Sequence, residues 1–266
     1  MDDGADLVFQ HFPGLSARQQ EQFRQLGAVY AALNARVNLI SRKDIEHLYE
    51  RHVLHSLGIA KVLLSGVTLS PSTRVTVSPP TQVTLNPSTQ VTLSSSTQVT
   101  LSKPAPSRAE GSKRNPPSLD ASNAQGPNGL SFIDVGTGGG FPLVPLAILF
   151  PDSTFHGIDG TGKKIAAVNE AIQALGLSNC TAEQVRSEGH RGKYDVIVSR
   201  AVTTLPEFIR MTKHLVRKGE GKLLYLKGGE LADELLPIRL PLRVHELSQF
   251  FPGEFFVTKK VVEVEM

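Results

Sequence analysis

The chain has 266 residues, 28 of them Lys or Arg and 25 Asp or Glu, and one cysteine, Cys180. A single thiol excludes an intramolecular disulfide, no run of about 18 apolar residues marks a membrane span, and the acidic opening Met1-Asp2-Asp3 lacks the basic-then-apolar order of a signal peptide. A cytoplasmic protein with no membrane partner, acting as a monomer, is the expectation. The formal charge of +3 is a poor guide to nucleic-acid binding, because residues 66–129 hold five basic and two acidic residues and removing them leaves 23 of each sign. Any affinity for RNA must therefore come from a local patch.

Three regions follow in chain order. Residues 1–65 read as a helical part. Ser16 and Gln19 form a capping-box pattern, and Phe23, Leu26, Tyr30, Leu33 and Val37 lie on one helix face. A second helix is expected from Asp44 to about Leu64, with Val53, Leu57, Ala60 and Leu64 as its stripe. Residues 66–129 repeat a Val-Thr unit every eight residues and hold nine of the 17 prolines, with no aromatic residue. Proline repeatedly interrupts the strand-like triplets, so this segment reads as a disordered low-complexity insertion.

From 130 to 266 strand and helix patterns alternate, which favours a parallel α/β sheet. Strands are expected at 131–135, 154–158, 180–185, 194–199 and 221–226, and a last one within Glu254–Val264. Helices fit 142–149, 162–175 (stopped by Gly176) and 204–216.

The stretch Asp134-Val-Gly136-Thr-Gly138-Gly-Gly140-Phe141-Pro142 joins the first strand to its helix. Glycines there let the chain turn sharply and let a ligand approach main-chain N–H groups at a helix start. Counted from Gly136, the third glycine of a dinucleotide fingerprint is replaced by Phe141, which argues against NAD. Acid-x-Gly-x-Gly is instead the pattern of enzymes that use S-adenosyl-L-methionine (AdoMet). Asp159 ends the second strand, where a carboxylate can accept both ribose hydroxyl protons.

Further motifs narrow the reading. Asn38-Leu-Ile-Ser-Arg42, Leu48-Tyr-Glu-Arg-His52-Val-Leu-His55-Ser-Leu57, Asp134 to Pro142, Val198-Ser-Arg200-Ala and Leu226-Lys227-Gly-Gly occur in this order. Together they resemble the small-subunit ribosomal RNA guanine-N7 methyltransferases, the glucose-inhibited division protein B family, over about 1–65 and 130–266. The resemblance implies a Rossmann-like class I methyltransferase sheet and AdoMet as methyl donor. It implies 16S rRNA in the small ribosomal subunit as substrate. It also implies cofactor contacts at Gly136, Phe141, Asp159, Ser187 and Glu188, with Glu183-Gln184 as a rival pair to Ser187-Glu188. Arg200, closing the fourth strand on the same sheet edge, is a cofactor-binding candidate that can fix the methionine carboxylate or the target nucleotide. Four features differ from the family pattern: Leu143 in place of a glycine, the turn Gly160-Thr161-Gly162, His55 in place of an acid, and the repeat insertion.

Attack by guanine N7 uses an in-plane lone pair and releases no proton, so no general base is expected and positioning carries the catalysis. Lys227, at the end of the fifth strand, is a candidate for RNA positioning as a point charge. Arg36, Arg42, Lys43 and Arg51 make a candidate phosphate-facing patch. Cys180 reads as a buried inert thiol rather than a nucleophile. The eight histidines show no metal-ligand spacing, so no metal is expected. Two other readings stay open: a catalytically inactive AdoMet-fold binding module, and a methyltransferase with a non-RNA substrate.

Overall fold

The computed structural model describes residues 4–41, 43–65, 127–200, 202–217, 219 and 221–266. The expected repeat insertion, apart from its last three residues, and Arg42 lie outside the described residues.

Helix α1 (Ala5–His11) precedes α2 (Ala17–Arg36), which starts at the expected Ser16–Gln19 capping box. Gln19 does more than cap its own helix. Its side-chain amide donates to the carbonyls of Ile148 and Leu149, at 3.0 and 2.9 Å, satisfying the last turn of α4 (Leu143–Leu149). Gln22, buried, donates to Leu175 O at 2.8 Å, just past α5 (Gly162–Ala174). The N-terminal helices are thus tied by hydrogen bonds to the helices that cover the sheet.

The second expected helix forms, but not as one regular element. A 3-10 turn at Ile45–His47 leads into a π-helix at Leu48–Leu54 and then α3 (His55–Ser65). A π stretch closes hydrogen bonds over five residues instead of four, yet the expected stripe holds: Val53, Leu57 and Ala60 are buried and Leu64 packs against the same core.

The sheet has seven strands in the order β3-β2-β1-β4-β5-β7-β6. β1 (Ser131–Val135), β2 (Thr154–Asp159), β3 (Cys180–Gln184), β4 (Val196–Arg200) and β5 (Lys222–Gly228) run parallel. The purely parallel expectation needs correction at the other edge. β7 (Lys259–Glu265) pairs antiparallel with β5, and β6 (Leu242–Glu246) pairs antiparallel with β7. β6 is a half-exposed edge strand with Arg, His and Glu among its five residues, so its alternation is masked in the sequence. The final strand begins only at Lys259, because Glu254–Thr258 is a 3-10 helix. There the rings of Phe255 and Phe256 meet edge to face, 5.1 Å apart, whereas a strand would send them to opposite sides. Tyr194, expected to open β4, instead makes an isolated bridge to Val216; the helix expected at 204–216 is α6 (Leu205–Thr212) followed by a 3-10 turn, and a short α7 (Ala232–Leu235) follows β5.

Each face of the sheet carries its own core. Phe132 and Phe155 stack 4.7 Å apart beneath α4 and α5, in the same cluster as the N-terminal helices. Ile133, Ile158, Ile197 and Tyr225 pack with Phe208 of α6 on the opposite face. Leu143, the residue that departs from the family pattern, is fully buried, and a neighbouring glycine makes room for it. A Cβ on Gly157 in β2 would lie 2.6 Å from Leu143 Cδ2 and 3.2 Å from Thr137 Cγ2.

This packing predicts coupling between the two positions. Gly157→Ala should cost about 1–3 kcal/mol by overpacking, and Leu143→Ala about 2–5 kcal/mol by leaving a cavity. The double variant should lose less than the sum, because the alanine methyl at 157 fills part of the space. Urea denaturation of the four proteins measures this, and strictly additive losses would refute the contact.

Candidate active site

In the parallel part of the sheet the connection β1-α4-β2 covers one face and β4-α6-β5 the other, so the chain reverses its winding between β1 and β4. Open α/β sheets bind ligands outside the carboxyl ends of the strands at such a switch point. Gly136, Asp159, Ser187, Arg200 and Lys227 all lie at or just past carboxyl ends on this edge.

Two carboxylates shape the glycine loop. Asp134, wholly buried, accepts hydrogen bonds at Oδ2 from Thr137 Oγ1 (2.7 Å) and from Leu143 N (3.2 Å), which ties the loop's start to the first residue of α4. Burial pushes its carboxyl up to about 7, with the two hydrogen bonds opposing the shift. Its Oδ1 is buried and has no hydrogen-bond partner among the described residues. Asp159 closes the loop from the β2 side: Oδ2 accepts from Gly138 N (3.0 Å) and Oδ1 from Thr161 N (2.7 Å). The same carboxylate therefore also shapes the unusual Gly160-Thr161-Gly162 turn, and its oxygens keep lone pairs for further donors. Gly140 has φ +85°, and a Cβ there would lie 2.7 Å from Tyr30 Oη, so α2 presses directly on the loop.

Arg200 ends β4 and is turned inward rather than into a surface salt bridge. Nη2 donates to His52 Nδ1 (3.1 Å), Nη1 to the Arg51 carbonyl (3.4 Å), and the guanidinium sits 5.6 Å from the centre of the Phe141 ring. A guanidinium only donates, so His52 Nδ1 is the acceptor and its ring proton is on Nε2. Phe141 also contacts the rings of Tyr30 (4.7 Å) and His52 (5.4 Å) and is 3% exposed, so its ring belongs to the core more than to a pocket wall. His52 lies in the π-helix, a distortion common where side chains must be placed for function.

The remaining candidates divide. Ser187 and Glu188 form a 3-10 turn beyond β3, with Ser187 Oγ donating to Glu188 Oε2 at 3.2 Å. In the rival pair, Gln184 sits in register with Asp159 and donates to Gly160 O, whereas Glu183 faces His156 and His190. Lys227 is not a free point charge: its ammonium pairs with Glu234 (2.7 Å), donates to Thr203 O (2.9 Å), and its side chain is 14% exposed. Of the basic patch, Arg36 pairs with Glu170 and Arg51 with Asp44, while Lys43 is exposed.

Tyr30, His52 and Tyr225 were not picked as site residues from the sequence. The first two stood in the helix stripe and the family signature. Tyr225 Oη accepts from Val202 N and Thr203 N and donates to Thr203 O, setting the loop that brings Val202 against Gly136. His156, Glu183 and His190, which no spacing in the sequence links, converge at one edge of the sheet.

Burial holds His52 and His55 neutral, pushing their pKa values down to about 4 and about 3, with the Arg200 charge adding to both shifts. Below the ordinary value of 6.5 the unfolded chain takes up protons that the folded one refuses, so these groups make stability fall as pH falls towards those values. Asp134 acts in the opposite sense between 3.8 and about 7, where the folded protein keeps a proton that the unfolded chain releases. His55→Met should therefore flatten the decline between about pH 6.5 and 4.5 by about one proton, or about 1.4 kcal/mol per pH unit. Urea unfolding across that range tests it; an unchanged slope would show that His55 titrates as in water.

The chain matches the family model described as rRNA small subunit methyltransferase G over residues 118–252. A curated relative from Christiangramia forsetii, named ribosomal RNA small subunit methyltransferase G, is 37% identical over 98% of this chain and 97% of its own length. One of the same name from Porphyromonas gingivalis is 37% identical over 97% of this chain and 92% of its own. A solved structure of a SAM-dependent methyltransferase from Aquifex aeolicus, 18% identical, covers 52% of this chain and 82% of that one at a TM-score of 0.41, too low to carry an argument. With the full-length relatives and the switch-point glycine loop pointing the same way, the chain belongs to the rRNA small subunit methyltransferase G family.

Proposed function

We propose that this protein transfers the methyl group of AdoMet to N7 of one guanine in 16S rRNA, presented in the small ribosomal subunit, and does so as a cytoplasmic monomer. Family membership makes it an AdoMet-dependent methyltransferase and gives the RNA substrate class. Among the described residues no helix is long and apolar enough to cross a membrane. The observation that carries the residue assignments is the loop Gly136–Gly140, clamped by two carboxylates at the point where the sheet reverses.

The residues present fit the donor. Asp134 Oδ1 is a buried acceptor with no partner among the described residues, which an ammonium would satisfy. The place of a Cβ on Gly138 has only Gly136 O within reach, at 3.8 Å, so the main chain there is open to a ligand. When bound, AdoMet supplies a sulfonium methyl that needs no activation by the protein. Asp159 accepts the ribose hydroxyls, Ser187 and Glu188 flank the adenine, and the backbone at Gly136 and Phe141 lies along the cofactor. Arg200, anchored by His52 and the Arg51 carbonyl, holds a fixed positive charge on the same edge. Guanine N7 already carries its lone pair, so the work of these groups is alignment.

Asp159→Ala should weaken AdoMet binding by about 1–3 kcal/mol, the scale of donors losing a charged acceptor, as read by calorimetry. Unchanged affinity would remove Asp159 from the site. The activity itself is tested with labelled AdoMet and small subunits from a strain lacking the gene. Strand scission at N7-methylguanine should map the label to one position in 16S rRNA. Label on protein or a small molecule would mean a different substrate, and no AdoMet binding would mean an inactive module.

A further inference from the structure

At the β3 edge of the sheet, three side chains distant in sequence converge. His156 comes from β2, Glu183 from β3, and His190 from the loop that follows β3. One nitrogen from each imidazole and one carboxylate oxygen all lie within 4.8 Å of one another. Glu183 Oε2 is 3.5 Å from His156 Nε2 and 3.7 Å from His190 Nδ1. Four-coordinate zinc, with bonds of about 2.0–2.2 Å, sets its ligand atoms about 3.3–3.6 Å apart, so two of the three spacings need little adjustment.

The other ring nitrogens are already engaged. His156 Nδ1 meets Thr181 Oγ1 at 2.8 Å, and His190 Nε2 meets Tyr194 Oη at 2.9 Å. Holding the far nitrogen of each imidazole is how proteins orient metal-binding histidines. His156 Nε2, by contrast, is buried and meets only the Glu183 carboxylate, at 3.5 Å, among the described residues. The two imidazoles stack 5.0 Å apart, their side chains 21% and 12% exposed, whereas Glu183 is 56% exposed and leaves a way in. His156, Thr181 and Tyr194 also line a cleft of about 250 Å³.

We propose that His156 Nε2, Glu183 Oε2 and His190 Nδ1 bind a divalent transition-metal ion of the zinc class, with the fourth position open to water. Two imidazoles and one carboxylate suit zinc and its first-row neighbours rather than magnesium or calcium, which take oxygen ligands. The ion would clip strands β2 and β3 to the loop that leaves β3. That loop carries Ser187 and Glu188 and leads back into β4, so the clip would brace the β3 edge of the sheet.

The test uses the full-length protein without an affinity tag, stripped with chelator. Calorimetry with Zn²⁺ and visible absorption with Co²⁺ should each give one equivalent bound, and Zn²⁺ should raise the thermal midpoint. Glu183→Gln and His156→Ala should each weaken binding at least about tenfold, the loss seen even when outer-shell partners are removed. His47→Ala, a histidine elsewhere on the chain, should leave binding unchanged. Should His156→Ala fail to fold, the half-exposed Glu183→Gln decides alone. Absence of stoichiometric binding, or binding indifferent to Glu183→Gln, would overturn the site. None of these readouts depends on methyl transfer, so the outcome is separate from that of the proposed activity.

Discussion

The interaction on which the rest of this structure depends is the hold of two carboxylates on one glycine loop. Asp134 bridges nine positions of sequence, from the end of β1 to the first turn of α4, from a place with no access to water. Asp159 reaches the same loop from the neighbouring strand. A loop built of glycines has the largest conformational entropy to lose on ordering, so it needs such external restraint to present a defined row of backbone groups. Desolvating Asp134 is costly, which is why its carboxyl titrates near neutrality. Cost of that kind persists where an unpaired buried acceptor has a use.

The N-terminal helices complete the site from the other side. Gln19 and Gln22 cap the helices that flank the loop, Tyr30 packs against Gly140 and Phe141, and His52 receives the guanidinium of Arg200. An arginine at a strand end would ordinarily extend into solvent. Here the π stretch at 48–54 brings an imidazole acceptor and the Arg51 carbonyl into its reach, and the Phe141 ring lies beneath it. The helical part is therefore packed directly on the glycine loop and Arg200, not an appendage to the sheet.

Charge placement separates scaffold from surface. Lys227 and Glu234 are both mostly buried, and breaking such a pair leaves an uncompensated charge, so Lys227 is part of the frame. Arg36 with Glu170 is an exposed pair of the kind that contributes about 0–1 kcal/mol and can exchange its partner for a phosphate at little cost, whereas Arg51 with Asp44 is half-buried. A protein whose sequence is nearly neutral outside the repeat segment can in this way still present cations to RNA without a bulk positive field.

By itself the sequence determined the strand–glycine loop–helix unit, the acid at the end of β2, the alternation that makes an α/β sheet, and the family. The first three are local patterns, set by backbone conformation and by periodicity over a few residues; the family came from the resemblance of several motifs in order along the chain. The tertiary structure alone decided what depends on packing between distant segments. It placed Arg200 against His52, withdrew Lys227 into an ion pair, and put two antiparallel strands at one edge, where the polar β6 carries no legible alternation. It also lodged Leu143 in the space left by Gly157, and drew His156, Glu183 and His190 together from three segments. None of these contacts has a spacing to read, because the distance between the partners is set by the fold and not by the chain.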